Sequence, residues 1–259
     1  MALGETEALV LRTYNLAEAD KIVVCLSREA GLIRGVANGC RRLKNKFGAA
    51  LEPFTLIRLS YYQKENQELV SIRQTEIIRS SFSVLSEPVT LAGLAYMGDL
   101  IVEFSPPYQV NEHLFRMVKA CVEAVVGAPE DLQSVLRYFE VWILRLEGFL
   151  PDLKVCADCR SPFDSGETVF LAMNHALRCS ACKSGQERAL SRQVHSQLLA
   201  SMKLGPGVFA NQAREVPIRN QRELAQLTQQ MIARALEREL KTVPSYVLPV
   251  TKNSEEYQH

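Results

Sequence analysis

The sequence lacks any apolar run long enough to cross a lipid bilayer. Its most apolar stretch, residues 91–104, is interrupted by Asp99 and Glu103 and is shorter than the roughly 20 residues that a spanning helix needs. The N-terminus also lacks a basic segment followed by an apolar run, so we expect no signal peptide. The sequence therefore predicts a protein that does not work within a membrane.

The motifs of the common enzyme classes are absent too. The chain contains no Gly-x-x-x-x-Gly-Lys-Ser/Thr loop, no Gly-x-Gly-x-x-Gly fingerprint, no His-Glu-x-x-His and no Gly-x-Ser-x-Gly. Its four histidines are scattered, and the adjacent carboxylates Glu255 and Glu256 lie in a polar tail. We therefore predict that the protein is not an enzyme.

The chain has almost no net charge, +1 at pH 7, so no overall field attracts a polyanion. The charge is unevenly distributed: residues 1–80 carry twelve Lys/Arg against nine Asp/Glu, and residues 81–150 carry four against nine. Residues 191–241 are basic again, with eight against four. The cysteine count is odd, at seven, which fits a reducing compartment better than a disulfide scaffold, and we expect a cytoplasmic protein.

Four of the cysteines form two Cys-x-x-Cys pairs, which are Cys156 with Cys159 and Cys179 with Cys182. This spacing is typical of a site in which four thiolates bind one Zn²⁺ ion tetrahedrally. Two disulfides or four unrelated buried cysteines are the alternatives, and His175 could replace one cysteine as a ligand. Four thiolates leave no open coordination position, so we predict one structural zinc per chain, in a motif at residues 152–188.

The first eighty residues contain five strand-like segments and no helical periodicity. They are residues 6–13, 21–27, 32–37, 54–62 and 68–79. Five short strands in this length indicate a small closed barrel, such as an OB-fold, although periodicity cannot separate an OB-fold from an SH3-like barrel. We predict an α+β protein whose OB-fold domain is residues 1–80.

A basic segment connects the third and fourth predicted strands. Five cations and no acid fall in thirteen positions; they are Arg34, Arg41, Arg42, Lys44 and Lys46. With glycines on either side and Phe47 as an aromatic platform, the segment is typical of a groove that binds single-stranded nucleic acid. Five phosphate contacts would give a log–log salt slope of roughly −3.5. A solvated loop without a ligand is the alternative.

Helical patterns follow the barrel. Residues 89–104, 111–126 and 129–147 are amphipathic, and we expect them to form a small bundle with acidic outer faces. Two more helices are predicted at 191–204, closed by Gly205-Pro206-Gly207, and at 221–241, where Arg234, Arg238 and Lys241 extend a basic face. Residues 81–250 thus form a mainly helical domain with the zinc motif inserted, and residues 251–259 form a polar tail.

Several segments carry a family resemblance. The N-terminal ones are Glu7-Ala-Leu-Val-Leu-Arg-Thr, Glu18-Ala-Asp-Lys-Ile-Val, Arg28-Glu-Ala-Gly-Leu-Ile-Arg and Phe47-Gly-Ala-Ala-Leu-Glu-Pro-Phe. The later ones are Gly148-Phe-Leu-Pro-Asp-Leu before Cys156-Ala-Asp-Cys159, and Leu236 to Leu240-Lys-Thr-Val-Pro-Ser. Together they resemble the RecO family of bacterial DNA-repair proteins over nearly the whole chain. At Val243 or Pro244 the family often has a further basic residue, so this chain is less basic there.

The resemblance implies a non-enzymatic mediator of the RecF pathway, associated with the bacterial nucleoid. Such a protein binds single- and double-stranded DNA, anneals complementary strands and docks on the C-terminal tail of single-stranded-DNA-binding protein. With a RecR-like partner it helps load RecA. The five cations would contact DNA, and Phe47 and Tyr62 would stack on bases. The alternative is a zinc-stabilised protein-interaction adaptor, with an acidic helical surface and incidental DNA affinity.

Overall fold

The computed structural model describes residues 2–16, 18–63, 68–164 and 166–237. They divide into two compact units, with the boundary after Pro129. Among these residues, no helix combines the length and the apolarity that crossing a bilayer requires.

The first unit contains a closed five-stranded barrel in the order β1-β2-β3-β5-β4. Its strands are β1 (Ala2–Asn15), β2 (Lys21–Ser27), β3 (Gly31–Ala37), β4 (Leu56–Gln63) and β5 (Val70–Arg79). All neighbours are antiparallel except β3 and β5, which pair in parallel. This order and the partial parallel closure identify the barrel as an OB-fold, which strand periodicity alone could not do.

Strand β1 closes the barrel because it pairs with two partners. Its first half pairs with β4, from Ala2 opposite Gln63 to Leu9 opposite Leu56. Its second half pairs with β2, and the register shifts between Val10 and Arg12. Such a bulge increases the local twist, which allows one long strand to turn from one neighbour to the other.

Alternate side chains of the strands fill the barrel interior. The buried cluster includes Val10, Val23, Ile33, Ile57 and Ile72, each at most 3% exposed. A 3₁₀ turn at Gly48–Leu51 adds Ala50 and Leu51 to the same cluster. The period-two pattern of the strands thus separates a dry interior from the outer surface.

Three helices complete the first unit: α1 (Phe82–Leu85), α2 (Pro88–Phe104) and α3 (Glu112–Gly127). Asn111 is the N-cap of α3, and its side chain accepts a hydrogen bond from Leu114 N at 3.0 Å. Ion pairs connect α3 to the barrel. Lys119 Nζ lies 2.6 Å from Glu7 Oε1, and Arg28 Nη2 lies 2.8 Å from Glu112 Oε1.

The second unit is a helical bundle into which the cysteine motif is inserted. Its helices are α4 (Leu132–Leu146), α5 (Arg192–Ser201), α6 (Pro206–Ala213) and α7 (Ile218–Ala235). The predicted grouping of three acidic helices is wrong, because α4 lies in this unit and packs against α5, α6 and α7. Predicted residues 238–241 of the last helix, and the tail, lie outside the described residues.

Helix α6 lies where the sequence predicted only a helix end. Pro206 occupies the first turn of α6, with Gly205 as its N-cap. Proline suits that position because its fixed φ is helical and its missing N–H would have no partner there. The Gly-Pro-Gly segment therefore starts a helix as well as ending one.

Candidate nucleic-acid interface and metal centre

The two Cys-x-x-Cys pairs converge on one point in the second unit. The Sγ atoms of Cys156, Cys159, Cys179 and Cys182 all lie within 4.8 Å of one another. Their motif contains a three-stranded sheet, in the order β7-β6-β8, formed by β6 (Phe170–Leu171), β7 (Leu177–Arg178) and β8 (Arg188–Ala189). The β6–β7 hairpin brings the second pair back to the first. These four residues could hold one metal ion.

The sulfur spacing fits a tetrahedral ion. Zinc–thiolate bonds of about 2.3 Å place the sulfurs of a tetrahedral site about 3.8 Å apart. Cys159 Sγ and Cys179 Sγ are 3.8 Å apart. A disulfide needs about 2.05 Å, and none of the seven cysteines, all of which are described, is in one. The Cys₄ group therefore fits a metal site and not two disulfides.

The thiols of the Cys₄ group differ in pKa. Burial opposes ionisation of Cys156, but backbone N–H groups of Cys159, Cys179 and Asp158 outweigh it and lower the thiol pKa to about 6. The neighbouring sulfurs, first Cys179 and then Cys159, raise the pKa of Cys182 to about 12. Four thiolates repel one another, and a divalent cation removes that repulsion.

Each Cys-x-x-Cys pair lies in a tight turn; the turn at Cys156 is the first knuckle and the turn at Cys179 is the second. The backbone of the first knuckle hydrogen-bonds around Cys156. Its N–H donates to Ser161 O at 2.9 Å, and Cys179 N donates to Cys156 Sγ at 3.4 Å. Arg160 closes the first knuckle with a φ of +61°, a left-handed conformation that costs a non-glycine residue energy. His175 lies in the β6–β7 turn and is not a member of the Cys₄ group.

Ion pairs brace the motif next to the second knuckle. Arg178 Nε lies 3.0 Å from Asp158 Oδ2, and Arg178 Nη1 lies 2.5 Å from Glu187 Oε1. The Arg178 guanidinium, assisted by Ser184, holds the pKa of Glu187 at about 2, well below its ordinary value. Arg178 thus connects the first knuckle to the segment after the second.

The predicted basic segment is an ordered loop at the end of β3. Gly39 N donates to Asp20 Oδ1 at 2.7 Å, and Arg41 N donates to Ala19 O at 3.0 Å, so the β1–β2 turn anchors its first half. Asn45 Oδ1 accepts from Phe47 N and Gly48 N at 3.0 and 2.8 Å and fixes the second half. The four loop cations are exposed; they are Arg41, Arg42, Lys44 and Lys46. Arg34 is exposed on β3.

The stacking role predicted for Phe47 is wrong in this conformation. The Phe47 side chain is 4% exposed and belongs to the barrel core, because the Asn45 turn directs it inward. Lys46 Nζ lies 5.0 Å from the Phe47 ring centroid, on the outside. Tyr62, by contrast, is half-buried on β4, with the Arg73 guanidinium 5.1 Å from its ring centroid.

The sequence did not reveal a groove between α5 and α6, which shares lining residues with a small recess beside a buried cation on α4. The groove has a volume of about 140 Å³, and its walls include Gln193, Ala200, Phe209 and Val216. Arg137 lines the adjoining recess with Gln197, and its side chain is only 6% exposed. The only signal in the sequence is that Arg137 interrupts the apolar stripe of α4.

Glu140 balances the charge of Arg137 but occupies only part of its hydrogen-bonding capacity. Its Nη2 donates to Glu140 Oε1 at 2.7 Å, and Glu140 also accepts a hydrogen bond from Thr228 Oγ1. Within the described residues, Nε and Nη1 of Arg137 and Oε1 of Gln197 have no hydrogen-bond partner. The recess that these atoms line has a volume of about 10 Å³, which is about the space of one water molecule.

The fold and these sites define a class of protein: an OB-fold with an exposed cationic loop, joined to a helical unit that carries a Cys₄ group. Two family models match nearly the whole chain. Residues 1–81 match the family model described as "Recombination protein O N terminal", and residues 85–244 match "Recombination protein O C terminal". The chain belongs to the RecO family of DNA repair proteins.

Curated relatives span similar lengths. A protein named DNA repair protein RecO from Koribacter versatilis is 31% identical over 241 residues, which cover 93% of this chain and 97% of that protein. A protein of the same name from Anaeromyxobacter dehalogenans strain 2CP-1 is 30% identical over 215 residues, which cover 83% of this chain and 84% of that protein. The one from Symbiobacterium thermophilum is 31% identical over 192 residues, 73% and 75% of the two chains.

Proposed function

We propose that this protein is a non-enzymatic DNA-binding mediator of recombinational repair. In this role it binds single- and double-stranded DNA, anneals complementary strands and, with a RecR-like partner, helps load RecA onto strands coated by single-stranded-DNA-binding protein. This work on chromosomal DNA is done in the bacterial cytoplasm, at the nucleoid. The observation that carries the proposal is the loop of exposed cations, fixed by backbone hydrogen bonds to an OB-fold.

The loop suits a phosphate backbone for a physical reason. Its four cations fall within six positions of the sequence, and hydrogen bonds at Gly39, Arg41 and Asn45 anchor the backbone that carries them. Each phosphate contact releases condensed counterions, so clustered cations bind nucleic acid without regard to sequence. Neutralising phosphates on two strands also lowers the repulsion that opposes annealing.

Neutralising the loop tests this function. In the variant Arg41→Ala/Arg42→Ala/Lys44→Ala/Lys46→Ala, the log–log salt slope for a single-stranded oligonucleotide should become less negative by about 2.8, at roughly 0.7 per charge. The matched control keeps every charge: Arg41→Lys/Arg42→Lys/Lys44→Arg/Lys46→Arg should retain the slope. Fluorescence anisotropy between 50 and 200 mM salt measures both. Equal slopes for the alanine variant and the native chain would refute this DNA site.

We further propose that the Cys₄ group holds one Zn²⁺ ion with a structural role. The closed thiolate shell supports this role, because catalysis at zinc requires an open coordination position. The ion supplies the positive charge that lets the four ligands ionise together, and the ligands then hold both knuckles on the small sheet. The residues that bind it are Cys156, Cys159, Cys179 and Cys182.

The Arg137 groove is our proposed docking site for the tail of single-stranded-DNA-binding protein. A C-terminal tail ends in a carboxylate, which the two unpartnered nitrogens of Arg137 can bind. Phe209, Ala200 and Val216 give the groove an apolar wall for the side chain before that carboxylate.

A peptide of the last ten residues of that protein tests the docking site. We expect binding to the native chain, and a loss of about tenfold or more when the terminal carboxylate is amidated, because a charged hydrogen bond contributes roughly 1.5–3 kcal/mol. If the amidated peptide binds equally well, Arg137 does not receive the tail.

The rival function, a protein-interaction adaptor with incidental DNA affinity, makes the opposite prediction. Its partner would bind equally to the native chain and to the loop variant, and repair in cells would survive neutralisation of the loop. A complementation assay with the four-alanine variant, after ultraviolet damage, separates the two functions. We expect the variant to fail and the charge-conserving control to complement.

A further inference from the structure

A row of side chains crosses the outer surface of the barrel and passes over all five strands. Tyr14 on β1 is opposite Ile22 on β2, and Ile22 is opposite Val36 on β3. Val36 pairs with Ser71 on β5, which in turn is opposite Tyr62 on β4. We call these five residues the outer row.

The outer row faces away from the barrel core. Tyr14 is 47% exposed, and the other four members are half-buried. The residues next to them in sequence, such as Val23, Ala37 and Ile72, are at most 3% exposed in the interior cluster. Because side chains alternate along a strand, the register places the whole row on the outside.

Cations flank the outer row on both sides. On one side, Arg12 and Arg34 are the register partners of Val24 on β2. Arg12 lies two residues before Tyr14, and Arg34 lies two residues before Val36. On the other side lie Arg73, two residues after Ser71, and the loop that follows β3. The guanidinium of Arg12 lies 5.4 Å from the Tyr14 ring centroid, and that of Arg73 lies 5.1 Å from the Tyr62 ring centroid. Both tyrosine rings thus lie beside a guanidinium, and that of Arg12 also forms an ion pair with Asp99, Nη1 to Oδ1 at 2.8 Å.

We propose that the outer row is a stacking track selective for single-stranded DNA, with Tyr14 and Tyr62 as its stacking residues. The proposal rests on the DNA-binding function proposed above and goes further, because it divides the surface into two parts. Four steps between neighbouring strands give the row a length of roughly 19 Å. That length suits a short run of unpaired nucleotides, with phosphates directed to the flanking cations.

The selectivity follows from what each form of DNA exposes. A duplex presents phosphates, while its bases are stacked on one another and cannot stack on a protein ring. A single strand presents both phosphates and base faces, and stacking accepts every base. The loop cations therefore serve both forms, whereas the outer row serves only one.

Alanine at each tyrosine tests the proposal against phenylalanine controls. Tyr14→Ala and Tyr62→Ala should each weaken binding of a dT oligonucleotide about fivefold or more, from the lower end of measured base–aromatic stacking. Affinity for a duplex of equal length should stay within about twofold. Tyr14→Phe and Tyr62→Phe keep the ring and should bind both DNAs as the native chain does.

The outcomes separate this inference from the proposed function. If the native chain binds neither DNA, the DNA-binding function itself fails. If the native chain binds both and the alanine variants lose both equally, or lose neither, the stacking track is refuted while the function stands. The melting temperature of each variant shows whether it is folded. If Tyr62→Ala lowers the melting temperature, the test rests on Tyr14→Ala, because Tyr14 is exposed.

Discussion

The buried pair Arg137–Glu140 on α4 gives the sharpest prediction about stability. Glu140 is fully buried, Arg137 is 6% exposed, and Thr228 on α7 donates a hydrogen bond to the Glu140 carboxylate. Removing one partner leaves the other charge buried, which typically costs 3–5 kcal/mol. We therefore expect Arg137→Met and Glu140→Gln each to destabilise the second unit by about 3 kcal/mol or more.

The double variant separates the pair energy from simple loss of packing. When both charges are removed, no uncompensated charge remains, so Arg137→Met/Glu140→Gln should cost well below the sum of the single changes. Thr228→Val removes the hydrogen bond to the carboxylate and should cost about 1.5–3 kcal/mol. The double-mutant cycle formed by these variants gives the interaction free energy between Arg137 and Glu140.

The chain provides its own probe for the measurement. Trp142 is the only tryptophan and lies on α4, where its Nε1 donates to Ser201 O at 2.8 Å. Its fluorescence during urea unfolding of the zinc-loaded protein therefore reports on the second unit alone, which avoids assuming that both units unfold together. Single variants that lose less than about 1 kcal/mol, or a double variant that loses the full sum, would refute the reasoning.

Three further predictions follow from groups elsewhere in the chain. Metal analysis of the native protein should find one zinc per chain, and Cys156→Ser should lower both the zinc content and the melting temperature; a native protein without zinc contradicts this. Burial raises the pKa of Cys25 to about 12 and raises the pKa of Cys121 as well, so iodoacetamide should modify neither until urea unfolds the chain, as mass spectrometry would show. Arg28 lowers the pKa of Glu112 below its ordinary 4.5, so the pair stabilises the first unit above that pH and less as the pH falls below it. Glu112→Gln should lower the melting temperature more at pH 7 than at pH 3, and an equal loss at both would show that charge plays no part.

Much of the barrel could be predicted because its strands alternate clearly. The second strand was predicted at residues 21–27 and lies there. The first was predicted at 6–13 but runs from Ala2 to Asn15, because its first residues gain strand structure from pairing with β4, far along the chain. Long-range pairing of this kind leaves no local signal.

The candidate sites also contain some features that local sequence could predict and others that depend on tertiary structure. The Cys₄ convergence could be predicted because ligand spacing is itself a local signal. The inward position of Phe47 could not, since it depends on one turn at Asn45, and the buried state of Arg137 depends on how α4, α5 and α6 pack. Tyr14 was overlooked for a related reason, because only the register shows which strand residues share an outer row.

The two-partner strand β1 has a consequence for how the barrel is made. When the ribosome has delivered β1, β2 and β3, the first half of β1 still has no neighbour, because its partner β4 begins at Leu56 and ends at Gln63. The parallel contact between β3 and β5 forms later still. The nascent domain thus holds an open sheet edge through a third of its synthesis, and edges of this kind pair readily with other chains. The barrel can close only when these distant strands pair. We therefore expect closure to be slow and to occur after β5 has been synthesised, rather than strand by strand.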